Sequence, residues 1–342
     1  MQIVDFERKY AQEAGQLALA EYEEERRQIL SLPPLRESDM PGTADYAENG
    51  MGVAAFENGR MTGFLCGCTP FDNAFGSTSA RGVFSPLGAH GAVGENREEI
   101  YAAMYQAAAA KWVRAGAVSH AICLYAHDGR AQRQFWLYGF GCRCMDGIRR
   151  LDGEHGESVG VSKEGEGGKS PDTGRPGRLS RAGYEYGELT GEEIPEAWRL
   201  VPAMYESFRN TPFFLNRRPP EKETLLREWR EGNARYFGAW QRGKLCAILE
   251  TGPKGETFLS EQKDYLHIEK AYCLPEHRGR GVYRTLTDHV AGILAGEGCR
   301  FLGVDFESIN PAGYGFWKKD FQIYTHSVVR RVDEGILEAG RL

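Results

Sequence analysis

The sequence predicts an α+β (mixed α/β) protein made of two halves, each a twisted, mostly antiparallel sheet flanked by helices. Two observations support this prediction: the halves repeat each other, and a segment of different composition separates them. In the second half, predicted helices come first, then a hairpin, then a strand–helix–strand unit, an order typical of a mixed sheet covered on both faces. A chain of 342 residues, 41% of them hydrophobic, is long enough to bury two cores.

The repeat consists of two matched blocks. Residues 135–150 match residues 316–331 at a constant offset of 181, with Phe-Trp, Phe and Arg-Arg at the same spacing. Residues 53–60 match residues 237–244 at an offset of 184, and each block contains a two-residue turn that carries a glycine, Gly59 or Gly243. A strand, a two-residue turn and a second strand predict a hairpin. Because a chance likeness of two hairpins does not explain the other block, we infer a duplicated domain.

The segment between the halves has its own composition. Residues 152–182 are rich in glycine, serine and charged residues and contain almost no large apolar side chain. Such a segment cannot bury enough surface to offset the entropy lost on ordering. We therefore expect a flexible linker at 151–182, between a first domain at 1–150 and a second at 183–342.

Hydrophobic periodicity places the other elements. The charged N-terminal stretch 1–28 is helix-periodic, and the alanine-rich stretch 97–115 predicts a helix that serves packing. In the second half, the predicted elements are helices at 192–208 and 221–231, the hairpin, a strand at 265–274, a helix at 281–296, a strand at 301–306, a short helix at 311–319 and a last strand at 324–332.

Composition excludes several classes of protein. The net charge is −6, and no basic run interleaved with aromatic residues occurs, which argues against a nucleic-acid partner. We find neither a signal peptide nor a stretch of about 20 apolar residues that would cross a bilayer. The eight cysteines lie mostly in strand-like runs, as expected for free thiols in a reducing compartment. We therefore expect a cytoplasmic protein without a membrane partner, whose oligomeric state the sequence leaves open.

Two cysteine pairs, Cys66 with Cys68 and Cys142 with Cys144, raise the alternative of a four-thiolate metal site. Against it, two cysteines separated by one residue in a strand share a face, where cysteine often serves as a small hydrophobic residue. Structural zinc sites more often use cysteines two to four residues apart on turns. We therefore predict no metal.

The sharpest local feature is the segment LPEHRGRGVYR, at the predicted strand-to-helix junction. Gly279 and Gly281 allow a tight turn and a close approach of the backbone to a ligand. The helix start directs unpaired N–H groups to the same place, and Arg278, Arg280 and Arg284 add positive charge. The turn therefore suits a pyrophosphate. A solvated turn is the alternative, and a dinucleotide-binding loop is less favoured because Arg284 occupies its third glycine position.

This turn resembles motif A of the GNAT superfamily of N-acetyltransferases, Q/R-x-x-G-x-G/A, with Arg278, Gly281 and Tyr283 at its defined positions. Tyr283 departs from the family's Gly/Ala, but a residue that contributes its backbone N–H can direct its side chain elsewhere. The hairpin with Gly243 fits the family's second and third strands.

Downstream, Asn310, the Phe316-Trp317 pair and Phe321 resemble the family's second motif, although Trp317 stands where the family often has a tyrosine acid. An indole has only an N–H donor, so the general-acid step departs from the family pattern. The likeness covers 184–333 and, more weakly, the first half. It is similar to tandem members of the superfamily, in which often only one half catalyses.

The resemblance implies two GNAT-like domains, with acetyl-CoA as co-substrate and no metal. The cofactor-binding residues that it implies are Ala271, Tyr272, Cys273, Arg278, Gly279, Arg280, Gly281, Val282, Tyr283, Asn310 and Trp317. Trp317 is equally consistent with a core position. At an offset of 181, Arg97 replaces Arg278, but Glu98 and Ile100 replace the glycines. A carboxylate repels a pyrophosphate, so we expect the domain at 1–150 to be degenerate and the one at 183–342 catalytic.

In the family the acceptor amine attacks the thioester directly, beside a splayed fourth strand. An alkylammonium, with a pKa of about 10, must first lose a proton. Strict alternation along the predicted strand places Tyr265, His267, Glu269, Ala271 and Cys273 on one face. Glu269 is the first candidate base and His267 the second, the alternative being that both are ordinary surface residues.

The remaining candidates lie outside this strand. Tyr314 and Tyr324 are phenols that could protonate the leaving thiolate. In the family the region after the first helix lines the acceptor site, so Phe213 and Phe214 would cover the acceptor. Arg217 or Arg218 would then hold a carboxylate of the acceptor. An apolar loop with solvated arginines is the alternative.

Three functions remain open from the sequence. The first is an N-acetyltransferase that acts on a primary amine of a small molecule or peptide. The second is a non-catalytic acyl-CoA-binding or regulatory module. The third is an unrelated two-domain binding protein, which would lack a splayed fourth strand beside the turn.

Overall fold

The structure is a computed structural model that describes residues 1–76, 80–152 and 178–338. Its strands are β1 (Gln2–Asp5), β2 (Val53–Glu57), β3 (Arg60–Leu65), β4 (Gly82–Ser85), β5 (His90–Ala92), β6 (Ser119–Tyr125), β7 (Gly141–Arg150), β8 (Leu179–Arg181), β9 (Tyr184–Glu188), β10 (Arg235–Gln241), β11 (Lys244–Gly252), β12 (Tyr265–Cys273), β13 (Phe301–Glu307), β14 (Gln322–Ile323) and β15 (Thr325–Arg331). Its α-helices are α1 (Ala11–Gln28), α2 (Arg97–Arg114), α3 (Gly129–Leu137), α4 (Ile194–Ser207), α5 (Lys222–Arg230), α6 (Val282–Gly296) and α7 (Pro311–Trp317).

The chain divides into two compact units. The first unit combines Met1–Gly147 with Phe306–Leu342, and the second unit is Ile148–Asp305. This division assigns residues 306–342 to the unit that contains the first half. Most of the predicted linker 151–182 lies outside the described residues. The division into domains 1–150 and 183–342 stays a prediction.

The second unit is built on a mixed sheet. Strands β9, β10, β11 and β12 are antiparallel neighbours, and β12 pairs in parallel with β13. The β10–β11 turn has positive φ at both Arg242 and Gly243, the geometry of a two-residue hairpin turn. Helices α4 and α5 pack their apolar side chains on the sheet face that carries Tyr236, Ile248 and Tyr272.

The parallel pair β12–β13 is joined over only part of its length. Its register runs from Tyr265 opposite Phe301 to Ile268 opposite Val304, whereas β12 continues to Cys273. On the other edge of β12, the register with β11 shifts between Glu250 and Thr251, so that the extra residue on β12 is Glu269. This shift is a β-bulge, which bends a strand and re-aims a side chain.

The first unit contains the antiparallel sheet β1-β2-β3-β5. In the same unit β15 pairs with β6 along its whole length, from Thr325 opposite Tyr125 to Arg331 opposite Ser119. The predicted last strand of the second half is therefore built into this unit. Helix α1 begins only at Ala11, because residues 2–5 pair with β2 as a strand. The helix-periodic interpretation of 1–28 was wrong for its first ten residues, where strand pairing overrides local periodicity.

The predicted α+β class is confirmed. Both predicted hairpins are present, and the second half contains helices, hairpin and strand–helix–strand in the predicted order. Among the described residues, no helix combines the length and the apolar character that crossing a bilayer requires.

Candidate functional site

The turn that resembles motif A connects β12 to α6. Gly279 and Gly281 have φ values of +71° and +76°, and a Cβ atom at either position would meet no other atom within 4 Å. These glycines are therefore required by backbone conformation and leave open space in front of the helix. Among the described residues, the backbone N–H groups of Gly279, Arg280, Gly281 and Val282 have no acceptor. Such donors at a helix start favour an anion.

Two side chains attach this turn to the sheet. Arg278 Nε donates to the Cys273 carbonyl at 2.8 Å, and its guanidinium lies 5.4 Å from the centre of the Tyr272 ring. The Tyr283 hydroxyl donates to the Ile248 carbonyl on β11 at 3.1 Å. Arg278 therefore fixes the end of β12, and the Tyr283 side chain points away from the turn, into the unit.

The bulge changes which residues of β12 share a face. Lys270 lies opposite Glu250 and Tyr272 opposite Ile248, on the face covered by α4 and α5. Ala271 and Cys273 alternate with these residues and lie on the other face. Before the bulge, His267 lies opposite Gly252, and the Glu269 carboxylate packs over Gly252. The prediction that 265, 267, 269, 271 and 273 share one face was therefore wrong, because the bulged residue interrupts the alternation.

Glu269 is held in a partly buried position. Its Oε1 atom is buried and makes no hydrogen bond within the described chain. Burial is the main cause that raises the pKa of the Glu269 carboxyl above its usual value, and the nearby negative charge of Glu250 adds to it. A carboxyl with a raised pKa and an unpaired oxygen suits a group that accepts a proton.

A row of polar side chains crosses the sheet beside Glu269. Tyr236 on β10 lies opposite Glu250 on β11, which in turn lies opposite Lys270 on β12. Glu250 is 2% exposed, and its Oε1 accepts a hydrogen bond from Lys270 Nζ at 2.6 Å. The Tyr236 hydroxyl is buried, and burial and the Glu250 carboxylate raise its pKa. The two charged members of this row, Glu250 and Lys270, therefore act on the Glu269 carboxyl.

His267 is buried and has both ring nitrogens engaged. Its Nε2 lies 2.9 Å from Asp305 Oδ1, and its Nδ1 lies 3.2 Å from the Tyr265 hydroxyl. In the neutral imidazole, Nε2 donates to Asp305 and the Tyr265 hydroxyl donates to Nδ1, because a carboxylate can only accept. This arrangement gives His267 a positioning role and makes it a weaker candidate base than Glu269.

The predicted acceptor loop lies between α4 and α5. Phe208 and Phe213 pack edge to face with ring centres 5.5 Å apart, and the Arg217 guanidinium lies 5.2 Å from the Phe208 ring centre. Phe214 is 75% exposed, and Arg218 is also exposed. Of the four predicted acceptor residues, the structure thus joins Phe213 and Arg217 in one aromatic cluster and leaves Phe214 and Arg218 at the surface.

Four predicted site residues belong to the first unit. The Asn310 side chain accepts a hydrogen bond from the Gly313 N–H at 2.9 Å and caps α7. Trp317 and Tyr324 are buried, and Tyr314 packs with Phe306 at 6.3 Å between ring centres. Their roles toward cofactor and thiolate stay predictions.

Two cysteine pairs were considered above as metal ligands. All eight cysteines, each within the described part of the chain, are free thiols, and no described group of three or more His, Cys, Asp or Glu side chains is arranged to hold a metal ion. Burial raises the pKa of Cys273 to about 11, which disfavours its nucleophilic thiolate at neutral pH.

Three residues around Glu269 and His267 were not predicted from the sequence: Glu250, Lys270 and Asp305. Glu250 is a lone carboxylate that directly follows the apolar run Leu245–Leu249 within the predicted strand, a signal that could have identified it. Asp305 similarly interrupts an apolar strand. Lys270 gave no signal of its own, since a lysine in a half-polar strand is ordinary.

Comparisons with known proteins agree with this geometry. The model of the acetyltransferase (GNAT) family matches residues 201–321. A GCN5-related N-acetyltransferase from Sphaerobacter thermophilus superposes with a TM-score of 0.55 at 11% identity, covering 96% of this chain and 95% of its own. A tandem GNAT protein from the clavulanic acid biosynthesis pathway gives 0.48 at 14% identity, covering 98% of each chain. The comparison with curated proteins gave no match.

At 11% identity the likeness to the Sphaerobacter thermophilus structure shows the fold alone, whereas the family model identifies a sequence domain. The likeness to the Sphaerobacter thermophilus protein extends over nearly the whole chain. Residues 201–321 therefore carry an acetyltransferase domain of the GNAT family, within a chain that has the fold of GNAT N-acetyltransferases.

Proposed function

We propose that this protein is an N-acetyltransferase that transfers an acetyl group from acetyl-CoA to a primary amine of a small molecule or peptide. The observation that carries the proposal is the partial pairing of β12 with β13, which ends at Ile268 opposite Val304. Beyond this point the edge of β12 pairs with no strand in the described parts of the chain, and it leads to the turn at Gly279 and Gly281. The third function considered above, an unrelated binding protein, would lack this opening.

The turn supplies the groups that a diphosphate requires. The N–H groups from Gly279 to Val282 have no acceptor among the described residues, and the exposed side chains of Arg280 and Arg284 add positive charge. The dipole of α6 favours an anion at the same end. Arg278 acts indirectly, because its Nε already donates to the Cys273 carbonyl.

The unpaired edge of β12 suits the amides of the pantetheine arm. Backbone groups of Ala271 and Tyr272, with the Cys273 N–H, would pair with that arm and polarise the acetyl carbonyl. When bound, acetyl-CoA supplies the activated thioester. We assign Asn310 and Trp317 to the same ligand on the resemblance alone.

Glu269 would take the proton from the acceptor's ammonium group, either directly or through water. Its raised pKa makes it a stronger base than an ordinary carboxylate, and its unpaired Oε1 is available for the proton. The amine nitrogen then attacks the acetyl carbonyl carbon, the carbon–sulfur bond breaks, the thiolate leaves, and the nitrogen loses one of its two remaining protons to water. Tyr314 or Tyr324 would return a proton to the sulfur, although a thiolate with a pKa of about 8.5 leaves tolerably without an acid.

The remaining assignments concern the acceptor. Phe213 would line the acceptor site with the Phe208–Arg217 cluster, while exposed Phe214 would close over it. Arg218 would hold an acceptor carboxylate. We further propose a cytoplasmic protein that needs neither a metal nor a nucleic-acid or membrane partner.

A thiol-release assay tests the proposal. The full chain is incubated with acetyl-CoA and a panel of primary amines, and free CoA is measured against a no-amine blank. Amine-dependent release that Glu269→Gln lowers by about 100-fold supports the proposal. If the chain binds CoA but no amine increases release, the non-catalytic acyl-CoA-binding module replaces it. That alternative is favoured by Trp317, where the family often has a tyrosine.

A further inference from the structure

The first compact unit contains a cavity of about 430 Å³ that the proposed reaction does not use. It is lined by Glu21, Glu24 and Glu25 from α1, by Arg97 at the start of α2, and by Tyr125 and Asp128 around the end of β6. All of these residues lie within 1–147, so the cavity belongs to one unit.

Two buried polar groups on its wall lack a partner. Glu21 is 3% exposed; its Oε1 accepts the Ala92 N–H at 2.6 Å, whereas its Oε2 makes no hydrogen bond in the described structure. Tyr125 is 4% exposed, and its hydroxyl also has no partner there. Buried polar atoms are nearly always hydrogen-bonded, so two unsatisfied oxygens lining one cavity indicate a missing ligand.

The charges of the cavity exclude an anion. The Arg97 guanidinium already lies 2.9 Å from Glu24, 3.2 Å from Asp128 and 4.0 Å from Glu21. The first turn of α2 carries Glu98 and Glu99, which would repel a phosphate. At the position that corresponds to the proposed diphosphate site, the positive charge of Arg97 is therefore already neutralised by carboxylates.

A metal ion is also disfavoured. In the described parts of the chain, no three His, Cys, Asp or Glu side chains converge as metal ligands require. Once Glu21 is ionised, the four lining carboxylates Glu21, Glu24, Glu25 and Asp128 outnumber the two lining guanidiniums Arg27 and Arg97. The excess of negative charge fits an organic cation.

We propose that this cavity binds a small aliphatic primary ammonium ligand, with Glu21 Oε2 and the Tyr125 hydroxyl as its acceptors. An ammonium group donates three hydrogen bonds, so it can satisfy both oxygens and retain one donor for Glu25 or a water. The inference stands apart from the proposed acetyl transfer, because none of the cavity residues has a role in that reaction.

The ionisation of Glu21 gives the site a measurable signature. The titratable and charged groups around Glu21 are Glu24 and Glu25 on its own helix, Arg97 and Tyr101 on α2, and Tyr125, His127 and Asp128 from β6 and the segment that follows. Burial raises the pKa of Glu21 to about 8. At pH 7 a large fraction of Glu21 therefore holds a proton, and a bound cation would release it.

Calorimetric titration of the full chain with butane-1,4-diamine tests the site. Repeating it at pH 7 in two buffers of different ionisation enthalpy measures the protons released. We expect a saturable site that releases protons, with an affinity that increases from pH 6 to pH 8. Glu21→Gln should lower the affinity at least about tenfold and abolish the proton release. Tyr125→Phe should lower the affinity severalfold and retain the release.

The same probe could occupy the proposed acceptor site, so Glu269→Gln is titrated in parallel. Binding that survives Glu269→Gln and is lost in Glu21→Gln belongs to the cavity. The inference is overturned if binding survives Glu21→Gln and is lost in Glu269→Gln. It is also overturned if the wild-type protein does not bind the diamine, or binds it without releasing protons. Acetate binding that Glu21→Gln strengthens would also overturn it. If Glu21→Gln fails to fold by circular dichroism, Tyr125→Phe and the wild-type proton release decide the question.

Discussion

The Glu269 carboxylate lies directly over Gly252, and a Cβ atom at position 252 would overlap Glu269 Oε1. Gly252 ends β11, next to the bulge that places Glu269 out of the alternating pattern of β12. The glycine therefore provides the space in which the proposed base is held.

Gly252→Ala should displace the Glu269 carboxylate. We expect kcat to fall by about 100-fold, because a misplaced base loses most of its contribution to proton transfer. The KM for acetyl-CoA should hardly change. Gly292→Ala in α6 is the matched control, since a Cβ atom there meets nothing within 4 Å. Equal kcat values in the two variants would contradict the role of this contact.

The raised pKa of Glu269 predicts the pH dependence of the reaction. The deprotonated carboxylate is the base, so kcat should increase with pH through a limb that lies above the usual range of a glutamate. In Glu269→Gln this limb should disappear, and the remaining kcat should be about 100-fold lower. A profile with the same limb in both proteins would assign the limb to another group.

The same pKa shift has a consequence for stability. Because the pKa of Glu269 is higher in the folded than in the unfolded protein, its protonated carboxyl stabilises the folded state. This stabilisation is fully present below the unfolded pKa and is lost as pH rises through the folded pKa. Urea unfolding should therefore show Glu269→Gln gaining stability relative to the wild-type protein as pH increases through that window. A constant difference between the two would show that the pKa is unperturbed.

The Glu250–Lys270 ion pair should matter for stability mainly because removal of one partner leaves the other as an unpaired buried charge. Lys270→Met leaves the Glu250 carboxylate, which is 2% exposed, without its ion-pair partner. We expect the free energy of unfolding to fall by about 3 kcal/mol, as measured by urea titration. Lys263→Met, at an exposed position, should be nearly neutral. Adding Glu250→Gln to Lys270→Met should recover part of the loss, and the absence of recovery would count against a buried charge as its cause.

The features that the sequence predicted are those set by local chemistry. Gly279 and Gly281 have the positive φ values that predicted a turn, and Gly243 closes the predicted hairpin. The helices in the second half were predicted from periodicity to within a few residues, because each buries one apolar face.

The features that the sequence did not predict depend on contacts between distant segments. No local signal marks Glu269 as a bulged residue, since the register of β12 is set by β11. The partner of His267, Asp305, lies 38 residues away on the neighbouring strand. Likewise, β15 joins β6 through pairing that no pattern within 324–332 specifies. Chain topology determines these contacts, and one sequence carries little information on it.

The most direct test of the account is a calorimetric titration of CoA into the full chain and two glycine variants. Gly281→Glu and Gly298→Glu each place a carboxylate at an open position with a φ of +76° or +91°, so both carry similar backbone strain at opposite ends of α6. The account predicts one CoA site in the wild-type protein, retained in Gly298→Glu and weakened at least about tenfold in Gly281→Glu by charge repulsion at the diphosphate. Absence of CoA binding by the wild-type protein, or equal affinities in the two variants, would contradict it.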